Sequence, residues 1–224
     1  NNIAIIGGGF IGLEIASSLN HQNKSISLIE ISDQLMNRIV PSKIANLVRN
    51  EHEKNGNKIF MNRKIINIKK INENFKISLD DNTIIEAEMI IAGIGSLPTD
   101  YLFKDSDLQI ENGILTDEFC QTSVNDVYAA GDVSNFYHPL YKKNIRLESY
   151  QHAQNQGIIA GKNIAGIKSE YNSIPWMWSD QFNLNLQLTG LCDDYDEVIV
   201  RGNGIENGII YFFLKNEKMY GACG

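Results

Sequence analysis

The chain is poor in cysteine, and none of its cysteines is paired in sequence. Cys120, Cys192 and Cys223 are the only three in 224 residues, and their wide separation excludes a C-x-x-C redox motif and any zinc-ligand spacing. Buried or incidental thiols are the expected state. No run approaches the roughly 18 apolar residues of a membrane-spanning helix, and no basic, apolar, small-residue leader of the secretory kind is present, so a cytoplasmic protein is expected. Positive charge is not in excess: a net charge of -7 and a pI near 5.1 argue against a nucleic-acid or anionic-membrane surface, local basic clusters aside. Internal repeats and low-complexity tracts are also lacking. What remains is a globular composition, 43% hydrophobic with mixed charge, long enough for one large or two ordinary domains.

What is present is concentrated between Asn1 and Glu30. Asn2 to Ile6 is a short apolar run, and Gly7, Gly9 and Gly12 then give G-x-G-x-x-G directly before an amphipathic segment containing Ile11, Leu13, Ile15, Ala16 and Leu19. That order of strand, glycine turn and helix is the dinucleotide-binding fingerprint in its proper context. Gly7 suits the tight turn, Gly9 lets backbone approach a pyrophosphate, and Gly12 permits close packing of helix on strand. The pyrophosphate is expected on the free amides and positive dipole end of the helix that opens near Phe10 and Ile11. Ser25 to Glu30 reads as the second strand. An acid at its end, Glu30, can accept both hydroxyls of an adenosine ribose and repels a 2'-phosphate, which favours NADH over NADPH. Arg38, eight residues further on, is a candidate for the adenosine end of NAD or a plain surface arginine.

Further along, Pro41 suits the first turn of a helix through Ile44, Leu47 and Val48 to Lys54, with Gly56 as its stop. Ile59 to Met61 is expected as a third parallel strand. Lys64 to Ile71, Phe75 to Leu79 and Thr83 to Ala87, separated by turn residues, predict a three-stranded meander. Met89 to Ile94 reads as a buried parallel strand whose carboxyl end, Gly93-Ile94-Gly95, meets a ligand. A short strand follows the Asn112-Gly113 turn, and Val127 to Ala130 is expected as another buried strand, ending in Gly131-Asp132. Ser149 to Ala165 reads as a helix whose Ala153, Gly157, Gly161 and Ala165 would allow close packing on one face. Beyond Pro175 the pattern turns to strands: Asn183 to Leu191, Glu197 to Arg201 and Ile209 to Leu214.

Four stretches together resemble the FAD-dependent pyridine nucleotide oxidoreductases, in particular the NADH:ferredoxin reductase branch with rubredoxin and putidaredoxin reductases. They are Ile6 to Glu14 (IGGGFIGLE), Thr122 to Val133 (TSVNDVYAAGDV), Arg146 to Tyr150 (RLESY) and Pro175 to Gln181 (PWMWSDQ). The resemblance implies an α/β fold: a Rossmann-like three-layer β/β/α NAD domain (1–92) inserted in an FAD domain (returning part 93–173), then an incomplete α+β C-terminal domain (174–224). In such proteins the FAD-binding glycine turn lies upstream of the NAD domain, so the chain reads as a fragment, expected to hold no FAD and to be weakly structured in its second region.

The resemblance also implies roles for single residues. Asp132 would bind the ribityl chain of FAD, with the Gly131 turn bringing backbone close to the flavin; a turn or cap acid is the alternative. Glu14 would orient the nicotinamide carboxamide, where a surface carboxylate is ordinarily solvated or paired. Trp178 would lie against the isoalloxazine on the side that meets the electron acceptor, whereas Trp176 is read as packing. The implied reaction is hydride transfer from NADH to flavin, followed by two single-electron transfers to an iron-sulfur partner. It requires no side-chain acid or base. That partner would be an acidic ferredoxin or rubredoxin; Lys142 and Lys143, between the second and third of the four stretches, and Arg146, which opens the third, are the candidate docking residues, with a solvated loop as the alternative. Alternatives are an interaction protein controlled by NADH, resembling apoptosis-inducing factor, and an NADH oxidase; oligomeric state stays open.

Overall fold

Asn2–Ile6 forms β1 because alternate residues of a strand buried on both faces are all apolar, and Ala4 and Ile5 are fully enclosed. A computed structural model describes residues 1–37, 39–204 and 207–224. After β1 come α1 (Phe10–Asn20), β2 (Ser25–Ile29), α2 (Ser42–Lys54) and β3 (Lys58–Phe60), then a meander of β4 (Ile65–Ile71), β5 (Asn74–Leu79) and β6 (Ile84–Ala87), then β7 (Met89–Ala92). β3-β2-β1-β7 is a parallel four-stranded sheet, with Ile3 opposite Ile26 and Ile5 opposite Ile91. The meander pairs antiparallel as β4-β5-β6. Its Ile77, Leu79, Ile85 and Ala87 pack with Ala4 and Ile29 of the parallel sheet. Leu13 and Ala16 of α1 are completely buried, each large side chain so enclosed contributing about 1.5–3 kcal/mol.

The chain continues through β8 (Ile114–Thr116), β9 (Ser134–His138), β10 (Lys143–Arg146), α3 (Tyr150–Ile164), β11 (Trp176–Gln181), β12 (Leu184–Gly190), β13 (Glu197–Gly204), β14 (Gly208–Lys215) and β15 (Lys218–Cys223). β10-β9-β8 form one sheet and β11-β12-β15-β14-β13 another. By contact the chain divides into two compact units. The first holds residues 1–95, 178–187 and 191–224, and the second residues 96–177 and 188–190. Among the described residues, no helix is long and apolar enough to cross a membrane.

Several expectations are corrected. β7 is parallel but not buried: it is the edge of its sheet, and Met89 and Ala92 are exposed. Val127 to Ala130 is not a strand. It has one isolated bridge, Gln121 to Tyr128, and its backbone bonds turn locally onto Cys120 and Thr122, leaving Val127 38% exposed. Ile11 faces outward, because the buried stripe of α1 is Gly12, Leu13, Ala16 and Ser17. On α3 the buried face is His152, Gln156 and Ala160, and a Cβ on Gly157 or Gly161 would meet nothing within 4 Å, so the small-residue face is packed only at Ala153, beside Gly131. The β9–β10 hairpin has no counterpart in the apolar pattern.

Candidate cofactor site

The glycine turn is built as its spacing predicts. Gly7, at φ +102°, turns the chain out of β1, and a side chain there would strike the carbonyl oxygen of Gly93. Gly7 N–H donates to Ile29 O (2.8 Å) and Gly93 N–H to Ile6 O (2.8 Å), which fixes the ends of β1, β2 and β7 around the turn. A Cβ on Gly12 would collide with the carbonyl oxygen of Gly7, so helix and turn are in direct backbone contact. A Cβ on Gly9, by contrast, would meet nothing within 4 Å, which is the open face a pyrophosphate needs. Gly9 caps α1 without a side-chain bond, and the first turn carries no acid, so the amides of Phe10, Ile11 and Gly12 precede the first intrahelical bond, Leu13 N–H to Gly9 O (3.1 Å). Gly12→Ala is therefore expected to abolish measurable NADH binding and to cost about 1–3 kcal/mol of stability by overpacking, checked by nucleotide titration together with thermal unfolding.

Glu30 is held by two backbone amides: Gly8 N–H donates to Oε2 (2.6 Å) and Ser32 N–H to Oε1 (2.8 Å). Each carboxylate oxygen has a second lone pair, so both can still accept a ribose hydroxyl. Gly8, the glycine left out of the fingerprint spacing, is what makes this possible. A side chain on it would meet Leu35 Cδ2 at 2.5 Å and Glu30 Oε2 at 3.1 Å, and its carbonyl accepts from Met36 N–H (2.9 Å), docking the loop after β2. The run of three glycines was the available signal. Arg38 lies outside the described residues. Gly93, Ile94 and Gly95 follow β7, with a Cβ on Gly93 only 3.5 Å from Gly12 N, so this segment faces the start of α1.

Glu14, in the second turn of α1, is half-buried and accepts from Ser179 Oγ (2.5 Å). Ser17, on the next turn, accepts from the backbone N–H of Phe182 (2.6 Å). Alternation along β11 puts Ser179 and Gln181 inside and Trp176, Trp178 and Asp180 outside. Trp176 is 40% exposed and Trp178 39%, and both lie on the outward face of the strand. The hollow lined by Ile44, Leu47, Val48, Leu184, Leu186 and Ile209, with Asn183 and Asn185 beside them, shares no residue with the glycine turn.

In the second unit, Gly131, at φ +78°, opens a short turn whose Asp132 side chain is exposed. Burial raises the Asp132 carboxyl above the ordinary carboxylate value, Glu148 adding to the shift and Arg146 opposing it. Gln156 accepts from Gly131 N–H (2.8 Å) and donates to Ser134 Oγ (3.0 Å). Arg146 donates to the Asp132 carbonyl (2.9 Å), to Glu148 (2.7 Å) and to Asn112 (3.2 Å). Arg146 thus braces the Asp132 turn, and Ser149 caps α3, which gives the R-L-E-S stretch a structural role that its sequence did not disclose. Lys142, at φ +53°, is the exposed tip of the β9–β10 hairpin. All three cysteines are free, and burial pushes the thiols of Cys120 and Cys192 up to about 12, so neither is a thiolate near neutral pH.

Comparison with known proteins agrees with this architecture. Residues 1–157 match the family "Pyridine nucleotide-disulphide oxidoreductase", and residues 176–224 match "Reductase C-terminal". The ferredoxin–NAD(+) reductase component of an anthranilate 1,2-dioxygenase system from Burkholderia cepacia is 32% identical over 95% of this chain and 52% of its own length. A rubredoxin–NAD(+) reductase from Ectopseudomonas oleovorans is 32% identical over 97% of this chain and 57% of its own. The crystal structure of a covalent putidaredoxin reductase–putidaredoxin complex superposes with a TM-score of 0.94 at 28% identity, covering 100% of this chain and 54% of that one. The chain spans about half the length of the curated relatives it matches. With the fold, the glycine turn and both family matches in agreement, the chain belongs to the pyridine nucleotide-disulphide oxidoreductase family.

Proposed function

We propose that this chain carries the NAD(H)-binding part of a cytoplasmic, FAD-dependent reductase that passes electrons from NADH to a ferredoxin or rubredoxin. The observation that carries the reading is the Glu30 carboxylate, fixed by the amides of Gly8 and Ser32 beside an open glycine turn. Family membership implies FAD and NAD(H), and the relatives named above support the choice of electron acceptor. FAD, when bound, supplies the conversion between a two-electron donor and a one-electron acceptor. The protein's own share is binding and orientation. Gly7, Gly9 and Gly12, with the amides of Phe10 and Ile11, hold the pyrophosphate; Glu30 takes the adenosine ribose; Glu14 takes the nicotinamide carboxamide; and Gly93 to Gly95 let backbone approach the ligand. Asp132 is assigned to the ribityl hydroxyls and Trp178 to the flavin ring. The protonated thiols of Cys120, which is buried, and Cys192, which is half-buried, favour a path that does not use cysteine.

Docking of an acidic iron-sulfur protein is assigned to the β9–β10 hairpin through Lys142 and Lys143, with Arg146 bracing the Asp132 turn. In the flavin-loaded protein, a ferredoxin is expected to reoxidise the NADH-reduced flavin rapidly. The doubly substituted Lys142→Glu/Lys143→Glu form should lose roughly tenfold in this rate at low salt, because rim charges act on encounter. A long-lived reduced complex with a shift to dimer would overturn the reductase reading in favour of an NADH-controlled interaction protein. An unchanged rate and salt dependence in the charge-reversed form would overturn only the docking assignment.

A further inference from the structure

A line of side-chain hydrogen bonds runs through the first unit and ends on Glu14. Asn20 Nδ2 donates to Asn57 Oδ1 (2.9 Å), Asn57 Nδ2 to His52 Nδ1 (3.0 Å), His52 Nε2 to Gln181 Oε1 (2.9 Å), Gln181 Nε2 to Ser179 Oγ (3.0 Å), and Ser179 Oγ to Glu14 Oε1 (2.5 Å). Every donor points the same way. An amide nitrogen can only donate, so Asn57 obliges His52 Nδ1 to accept. The ring proton is then on Nε2, which in turn fixes the orientation of the Gln181 amide. His52 and Ser179 are fully buried, Gln181 and Asn57 nearly so. Protonation of His52 would set a second ring proton against the Asn57 amide, and burial holds its pKa below the ordinary histidine value, with the Gln181 bond and Glu51 opposing.

Such an arrangement is more than packing requires. Links in a weakly screened interior polarise one another, and the polarisation here is directed at one carboxylate oxygen. Glu14, like Asn20 at the other end of the line, is half-buried, and its side chain is long and flexible. Left alone it would sample several rotamers and lose that freedom when it met a ligand. Held by Ser179, it presents its remaining lone pairs in one place.

We propose that Ser179, backed by Gln181 and His52, is a positioning residue that presets the Glu14 carboxylate for the carboxamide of the nicotinamide in NADH. The inference rests on the assignment of Glu14 made above. A purely structural role, stapling β11 to the nucleotide fold, would make a different prediction: loss of Ser179 would weaken every nucleotide alike.

The test compares NADH with ADP-ribose, which shares the adenosine and pyrophosphate but lacks nicotinamide, by calorimetric titration of the wild type, Ser179→Ala, Glu14→Gln and the double variant. Ser179→Ala is expected to weaken NADH about three- to tenfold, the cost of ordering one flexible side chain, while ADP-ribose binding changes less than twofold. The double variant should bind NADH no worse than Glu14→Gln alone. If Glu14→Gln weakens NADH selectively and Ser179→Ala does not, or if the two effects simply add, the positioning role is wrong and the Glu14 assignment stands. Equal weakening of both ligands by Ser179→Ala would leave only the staple. If Glu14→Gln does not discriminate between the ligands, the assignment of Glu14 fails and takes this inference with it.

Discussion

Glu30→Gln is expected to shift the ratio of NADH to NADPH affinity toward NADPH by roughly 10- to 100-fold, since hydrogen bonds to a charged group are each worth about 1.5–3 kcal/mol. Two effects add. Ribose hydroxyls lose a charged acceptor, and a 2'-phosphate loses a like charge at contact distance. The amides of Gly8 and Ser32 make the change sharper than at a free surface acid. Both donate to the carboxylate, at 2.6 and 2.8 Å, and a glutamine can satisfy one of them while setting its own NH₂ against the other. The loop that follows β2 is held to Gly8 as well, through Met36 N–H at 2.9 Å, so loss of that amide pairing should also lower the melting temperature. Paired titrations with the two nucleotides check the ratio; an unchanged ratio would remove Glu30 from the ribose site.

Acid should unfold this protein well before its carboxylates are all protonated. His152 lies between Phe136, stacked at 5.3 Å, and Tyr171, whose hydroxyl is 2.8 Å from Nδ1. Burial lowers its pKa from 6.5 to about 4. Burial also lowers His138 in the same unit and His52 in the other. Between the two values for His152 the unfolded chain binds a proton that the folded one excludes. Its stabilising contribution is therefore complete above about pH 6.5 and is lost as pH falls toward 4, a span worth roughly 3 kcal/mol at 1.36 kcal/mol per unit. Asp132 works in the opposite sense, because its raised carboxyl favours the protonated folded form. Melting temperature should be flat above pH 6.5 and fall steeply below it. His152→Phe, which keeps the aromatic packing but cannot titrate, should begin lower at pH 7 and fall less on acidification. An equally steep fall in that variant would exclude His152 as the source.

The features legible in the sequence are those whose chemistry is local. Gly7, Gly9, Gly12 and Glu30 lie within thirty residues, and their spacing follows from one strand, one helix and the next strand. The meander after β3 was visible because Asn72 and Asn82, both at positive φ, mark its turns. What was hidden depends on contacts far apart in the chain. Ser179 meets Glu14 across 165 residues and Gln181 meets His52 across 129, and nothing in W-S-D-Q shows which side chains point inward until the pleat of β11 is known. The β9–β10 hairpin escaped for another reason: Ser134, Asn135 and His138 are buried polar residues held by hydrogen bonds, so no apolar alternation announces the strand. Val127 to Ala130 erred in the other direction, an apolar run without a neighbouring strand among the described residues.

The turn between β11 and β12 places Phe182 at φ +52°, its N–H on Ser17 and its ring edge-on to His21 and His52. In cooperative terms, a segment encoded near the end of the chain closes the outer surface of helices encoded at the beginning. The nucleotide fold is therefore not a self-sufficient module: without residues 178–187 it would expose the Ser17 hydroxyl, the His52 imidazole and the flank of Glu14 to water. The glycine turn itself is set by contacts within residues 1–95, so what residues 178–187 add is cover for the polar flank of the helices beside it, and with it the seating of Glu14.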